Sequence, residues 1–176
     1  MQHPLKFSLF VMCLMTASIA VAKPPFFSAT GFRLNADDEQ NFTLDGFEIF
    51  GTTKATYSQQ ISKNFAVKLN FETAIGLLTG EDQTASYVRF APVLALDLAG
   101  SPISLTLSSG PTLISEHTFG NLELGGMLQF TSSLGVDVAI NEAWTLGYRY
   151  NHTSNAHIYV PNPGFNMHSL SIAHKF

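Results

Sequence analysis

Beyond residue 22 the chain has no cysteine; its single one is Cys13. A chain that loses its first 22 residues therefore carries no disulfide, no thiol nucleophile and no cysteine metal site. Charge is scarce as well: Asp, Glu, Lys and Arg make up 12% of the residues, roughly half the ~25% usual in soluble domains. Positive charge is the scarcer sign, with 9 Lys+Arg against 13 Asp+Glu and a net charge of -4. That balance gives no basic face and excludes a nucleic-acid partner. Long helical periodicity is missing, and no apolar run after residue 22 is long enough for an ordinary transmembrane helix. No phosphate loop or dinucleotide fingerprint occurs. His157, His168 and His174 do not make a metal set, because His168 and His174 stand too far apart along one strand to share an ion. Neither a metal nor an organic cofactor is expected.

The first 22 residues read as a targeting segment. Met1–Ala22 has a short start with the cation Lys6, an apolar stretch Phe7–Ala20 and the small-x-small end Ala20-Val21-Ala22. This is the anatomy of a cleaved secretory signal. Removal would leave residues 23–176 as one domain, and loss of Lys6 would take the net charge from -4 to -5.

Period-2 alternation recurs through the rest, which is the signal of strands. Phe65, Val67, Leu69 and Phe71 alternate with Ala66, Lys68, Asn70 and Glu72. Val88, Phe90, Leu94 and Leu96 alternate with Arg89, Ala91, Val93 and Ala95, and Ile103, Leu105 and Leu107 with Ser104, Thr106 and Ser108. Leu124, Leu128, Phe130, Leu134 and Val136 are set against Gln129, Thr131, Ser133 and Asp137. Trp144, Leu146, Tyr148 and Tyr150 alternate with Thr145, Gly147, Arg149 and Asn151, and Leu170, Ile172 and Phe176 with Ser169, Ser171 and Lys175. Two weaker segments, near Phe27–Leu34 and Phe47–Ser58, bring the count to eight strands.

A soluble β-sandwich would also alternate. Three features favour an all-β, eight-stranded antiparallel transmembrane barrel of the bacterial outer membrane. Segments of about 9–11 residues suit a tilted bilayer crossing. Phe65, Phe71, Trp144, Tyr148 and Tyr150 share the apolar faces, where aromatic girdles lie. The last strand ends in Phe176, with Ile172 and Leu170 in phase, like the signal read by the barrel-assembly machinery. Short connections at Gln60–Asn64, Ala99–Pro102 and Asn141–Glu142 alternate with longer ones around Asn35–Leu44, Gly76–Thr84, Ser109–Gly120 and Asn155–Phe165. Short periplasmic turns and long outer loops are the barrel pattern, so the amino terminus is periplasmic and the Trp144 strand ends at the outer surface. Eight strands leave an interior that side chains can fill, not a wide pore.

Chemistry concentrates where that strand leaves the membrane, in Tyr150-Asn151-His152-Thr153-Ser154-Asn155-Ala156. Alternation carries His152 and Ser154 onto the face of Trp144, Leu146, Tyr148 and Tyr150, which looks at lipid. Polar groups against hydrocarbon need partners, and two on one face mark a functional hint. A histidine at i and a serine at i+2 are close enough for a base–nucleophile pair. The alternative is that both merely mark the polar interface. Asn151-His152-Thr153 and Asn41-Phe42-Thr43 fit the glycosylation pattern, as chance matches in a bacterial-type barrel.

The run His152-Thr153-Ser154-Asn155-Ala156, followed by Pro161-Asn162-Pro163-Gly164 and a final strand ending in Phe176, resembles the lipid A 3-O-deacylases of the PagL type. The motif resemblance spans about Tyr148–Phe176. It implies an eight-stranded outer-membrane esterase that hydrolyses the acyl chain at the 3-position of lipid A, with lipopolysaccharide and outer-membrane lipids as its partners. It further implies Ser154 as nucleophile and His152 as general base and acid. Asn155, Asn162 and Gly164 are motif positions around the substrate and oxyanion site, with backbone amides near Ala156 and His157 as oxyanion donors. Two positions depart from the family. His157 stands where a glycine is frequent, and Asn166 stands where the family has the glutamate of its triad. An asparagine orients a histidine but supplies no charge. The site is therefore a working His–Ser–Asn set with Asn166 as its third catalytic member, a set served by a carboxylate from another strand or loop, or a degenerate enzyme, and the first, active reading is preferred. Two other barrel functions compete: a non-enzymatic structural or adhesive role, and a lipid A palmitoyltransferase. The second ranks lower because no amphipathic helix precedes the first strand.

Overall fold

The computed structural model describes residues 26–38, 44–81 and 83–176. The expected signal segment, the Asn41-Phe42-Thr43 pattern and most of the first outer loop lie outside the described residues. Eleven strands are present among the described residues: β1 (Phe27–Asp37), β2 (Leu44–Thr53), β3 (Tyr57–Ser62), β4 (Phe65–Gly80), β5 (Gln83–Leu98), β6 (Ile103–Ile114), β7 (Thr118–Phe119), β8 (Leu122–Glu123), β9 (Leu128–Ala139), β10 (Trp144–Ser154) and β11 (Phe165–Lys175). Every pairing is antiparallel. The sheet runs β2-β1-β11-β10-β9-β6-β5-β4-β3, and β2 also pairs with β4. The second pairing closes the sheet. β2 and β3 lie end to end along β4, against Glu72–Gly80 and Phe65–Leu69 respectively, so they form one interrupted barrel strand. The wall thus has eight strands, as alternation predicts.

Alternation also sets the two surfaces. Leu134, Leu146, Tyr148 and Leu170 are exposed on the outside, whereas Gln129, Thr131, Ser133, Arg149, Asn151 and Ser169 are buried inside. Apolar outside and polar inside is the reverse of a water-soluble barrel, and the outer surface is lipid-facing.

The interior is plugged by charge. Arg33, Glu48, Glu72, Arg89 and Arg149 are all buried. Arg33 forks onto both Glu72 oxygens at 3.1 and 3.2 Å and also bonds Glu48. Arg89 Nη2 donates to Glu48 at 2.8 Å and to Glu72 at 2.9 Å, Arg149 Nη1 donates to Glu72 at 3.0 Å, and the Tyr87 hydroxyl donates to Glu48 at 2.7 Å. Glu72 therefore serves three guanidinium groups. Removing one partner of a buried ion cluster leaves uncompensated charge and costs about 3–5 kcal/mol. Glu72→Gln is expected to lower barrel stability by that amount in urea unfolding from lipid vesicles. An unchanged midpoint would show that the cluster does not brace the wall.

At the loop end the interior turns apolar. Leu44, Leu78, Ala85, Ile114, Phe119, Leu122, Leu124, Phe165 and Met167 form a buried cap beneath the β7–β8 hairpin. The cap closes the rim on which the candidate site stands.

Three expectations require correction. The outer loop expected around Gly76–Thr84 is largely strand: β4 runs to Gly80 and β5 begins at Gln83. Gly76 looked like a loop residue, but it stands opposite Tyr87 in register. A Cβ there would lie 2.6 Å from the Tyr87 ring, so the glycine makes room for an inward aromatic within continuous strand. The loop expected at Ser109–Gly120 starts later, because β6 continues to Ile114. Leu124, expected on a strand, precedes β9 and is buried in the apolar cap.

Candidate functional site

β10 brings His152 and Ser154 to the outer rim. In its register His152 stands opposite Asn166 on β11 and Ser132 on β9. His152 is exposed and Ser154 half-buried on the outward side, while the intervening Thr153 is buried. The alternation of the strand thus holds both polar groups on the lipid face, as expected from sequence.

The departure from the family pattern sits at the centre of the geometry. Asn166 Oδ1 lies 2.8 Å from His152 Nδ1. An amide oxygen only accepts, so this contact places the imidazole proton on Nδ1 and leaves Nε2 with its lone pair. Gly164 packs against both groups. The point where its Cβ would sit is 3.0 Å from His152 Cε1 and 3.3 Å from Ser154 Cβ, and its φ is +67°. The imidazole edge between its two nitrogens and the Ser154 side chain thus converge on one small volume, kept open by the missing side chain. Gly164→Ala would strain the backbone and push into both groups.

The loop after β10 is braced from below. Asn155 is fully buried. Its Nδ2 donates to Leu124 O at 2.9 Å and to Pro161 O at 2.8 Å, and its backbone N–H donates to Asn162 Oδ1 at 2.9 Å. Asn162 Nδ2 lies 3.3 Å from His157 Nδ1 on the exposed side, and the two asparagines together tie Ser154 to the loop that returns to β11. Ala156 and His157 both adopt left-handed backbone conformations, with φ of 52° and 64°. Such conformations cost about 1–3 kcal/mol each and persist only where surroundings impose them. No hydrogen-bond partner is recorded among the described residues for the N–H of Ala156 or His157. Their amides stand two and three residues after Ser154.

The β7–β8 hairpin supplies the acceptor for Asn155 and is itself pinned by Glu123. That carboxylate accepts from the Thr118 hydroxyl at 2.6 Å, the Gly125 N–H at 2.8 Å and His117 Nδ1 at 2.7 Å. The Thr118 and Gly125 bonds, with His117 third, hold its pKa down to about 2.

Sequence reasoning passed over neighbours in the same surface. Ser132, opposite His152, and Ser109, opposite Ser132, are exposed and share a hydroxyl contact of 2.9 Å. On the other side, the Asp38 N–H donates to Asn166 O at 3.2 Å. Asp38, Asn166, His152, Ser132 and Ser109 therefore form one polar row across five adjacent strand segments. Each interrupts an apolar outward face, and that interruption was the readable signal. Among the described residues no cluster of three or more metal-ligating side chains occurs.

A charge-plugged, eight-stranded transmembrane barrel with Ser154, His152 and Asn166 outward at its loop rim defines the class: an outer-membrane barrel with a polar row facing lipid. The chain belongs to the lipid A 3-O-deacylase (PagL) family, whose model matches residues 26–175. It is similar to the lipid A deacylase PagL of Bordetella bronchiseptica, with 33% identity over 67 residues that make up 38% of each chain. The matched part is thus well under half of that relative. The fold matches the crystal structure of the outer membrane enzyme PagL with a TM-score of 0.75 at 20% identity, covering 84% of this chain and 99% of that one. Neisserial surface protein A shares the barrel more loosely, at a TM-score of 0.53 and 12% identity over 86% of this chain and 97% of its own. A transmembrane β-barrel of de novo design does so at 0.50 and 9% identity, over 85% of this chain and 96% of its own. Barrel shape alone therefore carries no activity, and the site must.

Proposed function

We propose that this protein is an esterase of the outer membrane that removes the acyl chain ester-linked at the 3-position of lipid A in the outer leaflet. The observation that carries the reading is the lipid-facing pair His152 and Ser154, with His152 Nδ1 bonded to Asn166 Oδ1 and both groups against Gly164. His152 Nε2 takes the Ser154 hydroxyl proton as Oγ attacks the ester carbonyl carbon. The carbonyl oxygen gains the negative charge, and the Ala156 and His157 N–H groups stabilise it. The tetrahedral intermediate collapses by breaking the bond to the sugar oxygen, which takes the proton from His152 and leaves as a hydroxyl, and an acyl-Ser154 ester remains. Water, deprotonated by His152, hydrolyses that ester and releases the fatty acid.

The lipid-facing placement gives the reaction its substrate class. A site inside the barrel would be reached by soluble esters. This one meets molecules lying in the membrane, at the level where lipid A carries its ester groups. Family membership over residues 26–175 supports the same substrate. Removal of Met1–Ala22 on export belongs to the same reading. The experiment is a comparison of lipid A from outer membranes with and without the protein. A loss of mass equal to one 3-linked hydroxyacyl chain is expected. Identical lipid A in both membranes, with the folded barrel present, would leave a structural or adhesive barrel as the better reading.

A further inference from the structure

We propose that Asp38 is a positioning residue for His152: it supplies, from the neighbouring strand, the negative charge that Asn166 lacks. This rests on the esterase reading above. Asp38 follows β1, and its backbone N–H reaches Asn166 O at 3.2 Å. It stands in one cross-strand row with Asn166 and His152. Its side chain faces outward, where it is about half exposed. The carboxylate is held on both oxygens: His168 Nε2 lies 3.0 Å from Oδ1, and the Tyr150 hydroxyl donates to Oδ2 at 3.3 Å. Tyr150 and His168 are a register pair, two residues along their strands from the pair His152 and Asn166 and on the same face.

The Tyr148 hydroxyl lies 2.7 Å from His168 Nδ1, so Tyr148, His168 and Asp38 form one hydrogen-bonded chain on the outward face. Among the described residues a second outward carboxylate nearby, Asp45, pairs with Ala36 one strand further from His152. Asp37 is on the opposite face of β1, and the arginines of the barrel all point inward.

Asn166 orients the imidazole, and Asp38 favours the imidazolium that forms as Ser154 attacks. Adjacent strands lie about 4.8 Å apart, so two strand spacings put Asp38 roughly 10 Å from His152. At the effective dielectric of a protein surface, a unit charge at that range changes the rate by about tenfold. That is far below the contribution of a carboxylate in direct contact.

The test uses the full-length barrel in vesicles of phospholipid and lipid A, read as fatty-acid release at low and at high salt. Asp38→Asn is expected to lower kcat about tenfold at low salt with KM little changed, and Asp38→Glu to retain most of the parental rate. The loss should shrink to about twofold as salt rises well above physiological strength, because a half-exposed charge at roughly 10 Å is screened. Asp38→Ser supplies the same comparison if the amide variant assembles poorly. An equal loss at both salt concentrations would mean that Asp38 only braces the rim, and a parental kcat insensitive to Asp38 would also overturn the proposal. Parental release no faster than that of Ser154→Ala instead overturns the esterase reading.

Discussion

Ser154→Ala is expected to abolish release of the 3-linked acyl chain, and His152→Ala to do the same, while both barrels assemble normally. Both side chains lie on the outward face of β10, away from the ion cluster and the apolar cap, so neither contributes to the interior packing that holds the wall. In the proposed mechanism Ser154 makes the new bond and His152 moves the proton; without either, the chain of transfers has no first step. In serine hydrolases such losses reach the order of 10⁶-fold in kcat, and a second removal adds little because the groups act as one unit. Here the parental rate already lacks the contribution of a triad carboxylate, so the expected loss is smaller, at least on the order of 10³-fold. The variant lacking both should match the singles. Fatty-acid release from lipid A vesicles measures this, with equal heat-modifiable shifts on a gel as the check on assembly. Wild-type rates in both single variants would remove Ser154 and His152 from the mechanism.

The barrel was legible in the sequence because its rule is local. A lipid-facing wall demands alternation along each strand, and Leu134, Leu146, Leu170 and their polar neighbours obey it. His152 and Ser154 were legible for the same reason, as polar residues where alternation calls for apolar ones. Less local features were harder to read. Gly76 carries two meanings, turn or close approach, and only its opposition to Tyr87 decides between them. Leu124 looks like a strand residue until the β7–β8 hairpin carries it into the cap. Asn155 and Asn162 sit in the motif beside Ser154, yet their side chains brace the loop from beneath. Asp38 is separated from Asn166 by more than 120 residues of chain, and no period along one strand brings them together. Only closure of β1 against β11 does so.

Asn166→Glu tests what the amide withholds. Asn166 already occupies the place of an orienting group, opposite His152 in register and 2.8 Å from Nδ1. The tautomer that serine attack needs is therefore set in the parent. What the amide lacks is charge: as His152 takes the Ser154 proton, an imidazolium forms beside a neutral oxygen. A carboxylate at the same position would stabilise that ion directly. In a serine triad the exchange of acid for amide is worth on the order of 10⁴ in turnover, part of it through the tautomer. Because the tautomer is already held here, the expected gain is smaller than that limit, on the order of 10²-fold in kcat, or about 2.7 kcal/mol of barrier. KM should change little, since the charge acts on the transition state rather than on acyl-chain binding. The measurement needs equal amounts of folded barrel, because a new charge at the lipid interface can impair assembly. A level or falling kcat in well-assembled protein would mean that charge beside the imidazole does not limit turnover, since Asp38 at two strand spacings supplies only a small part of what a contact carboxylate would.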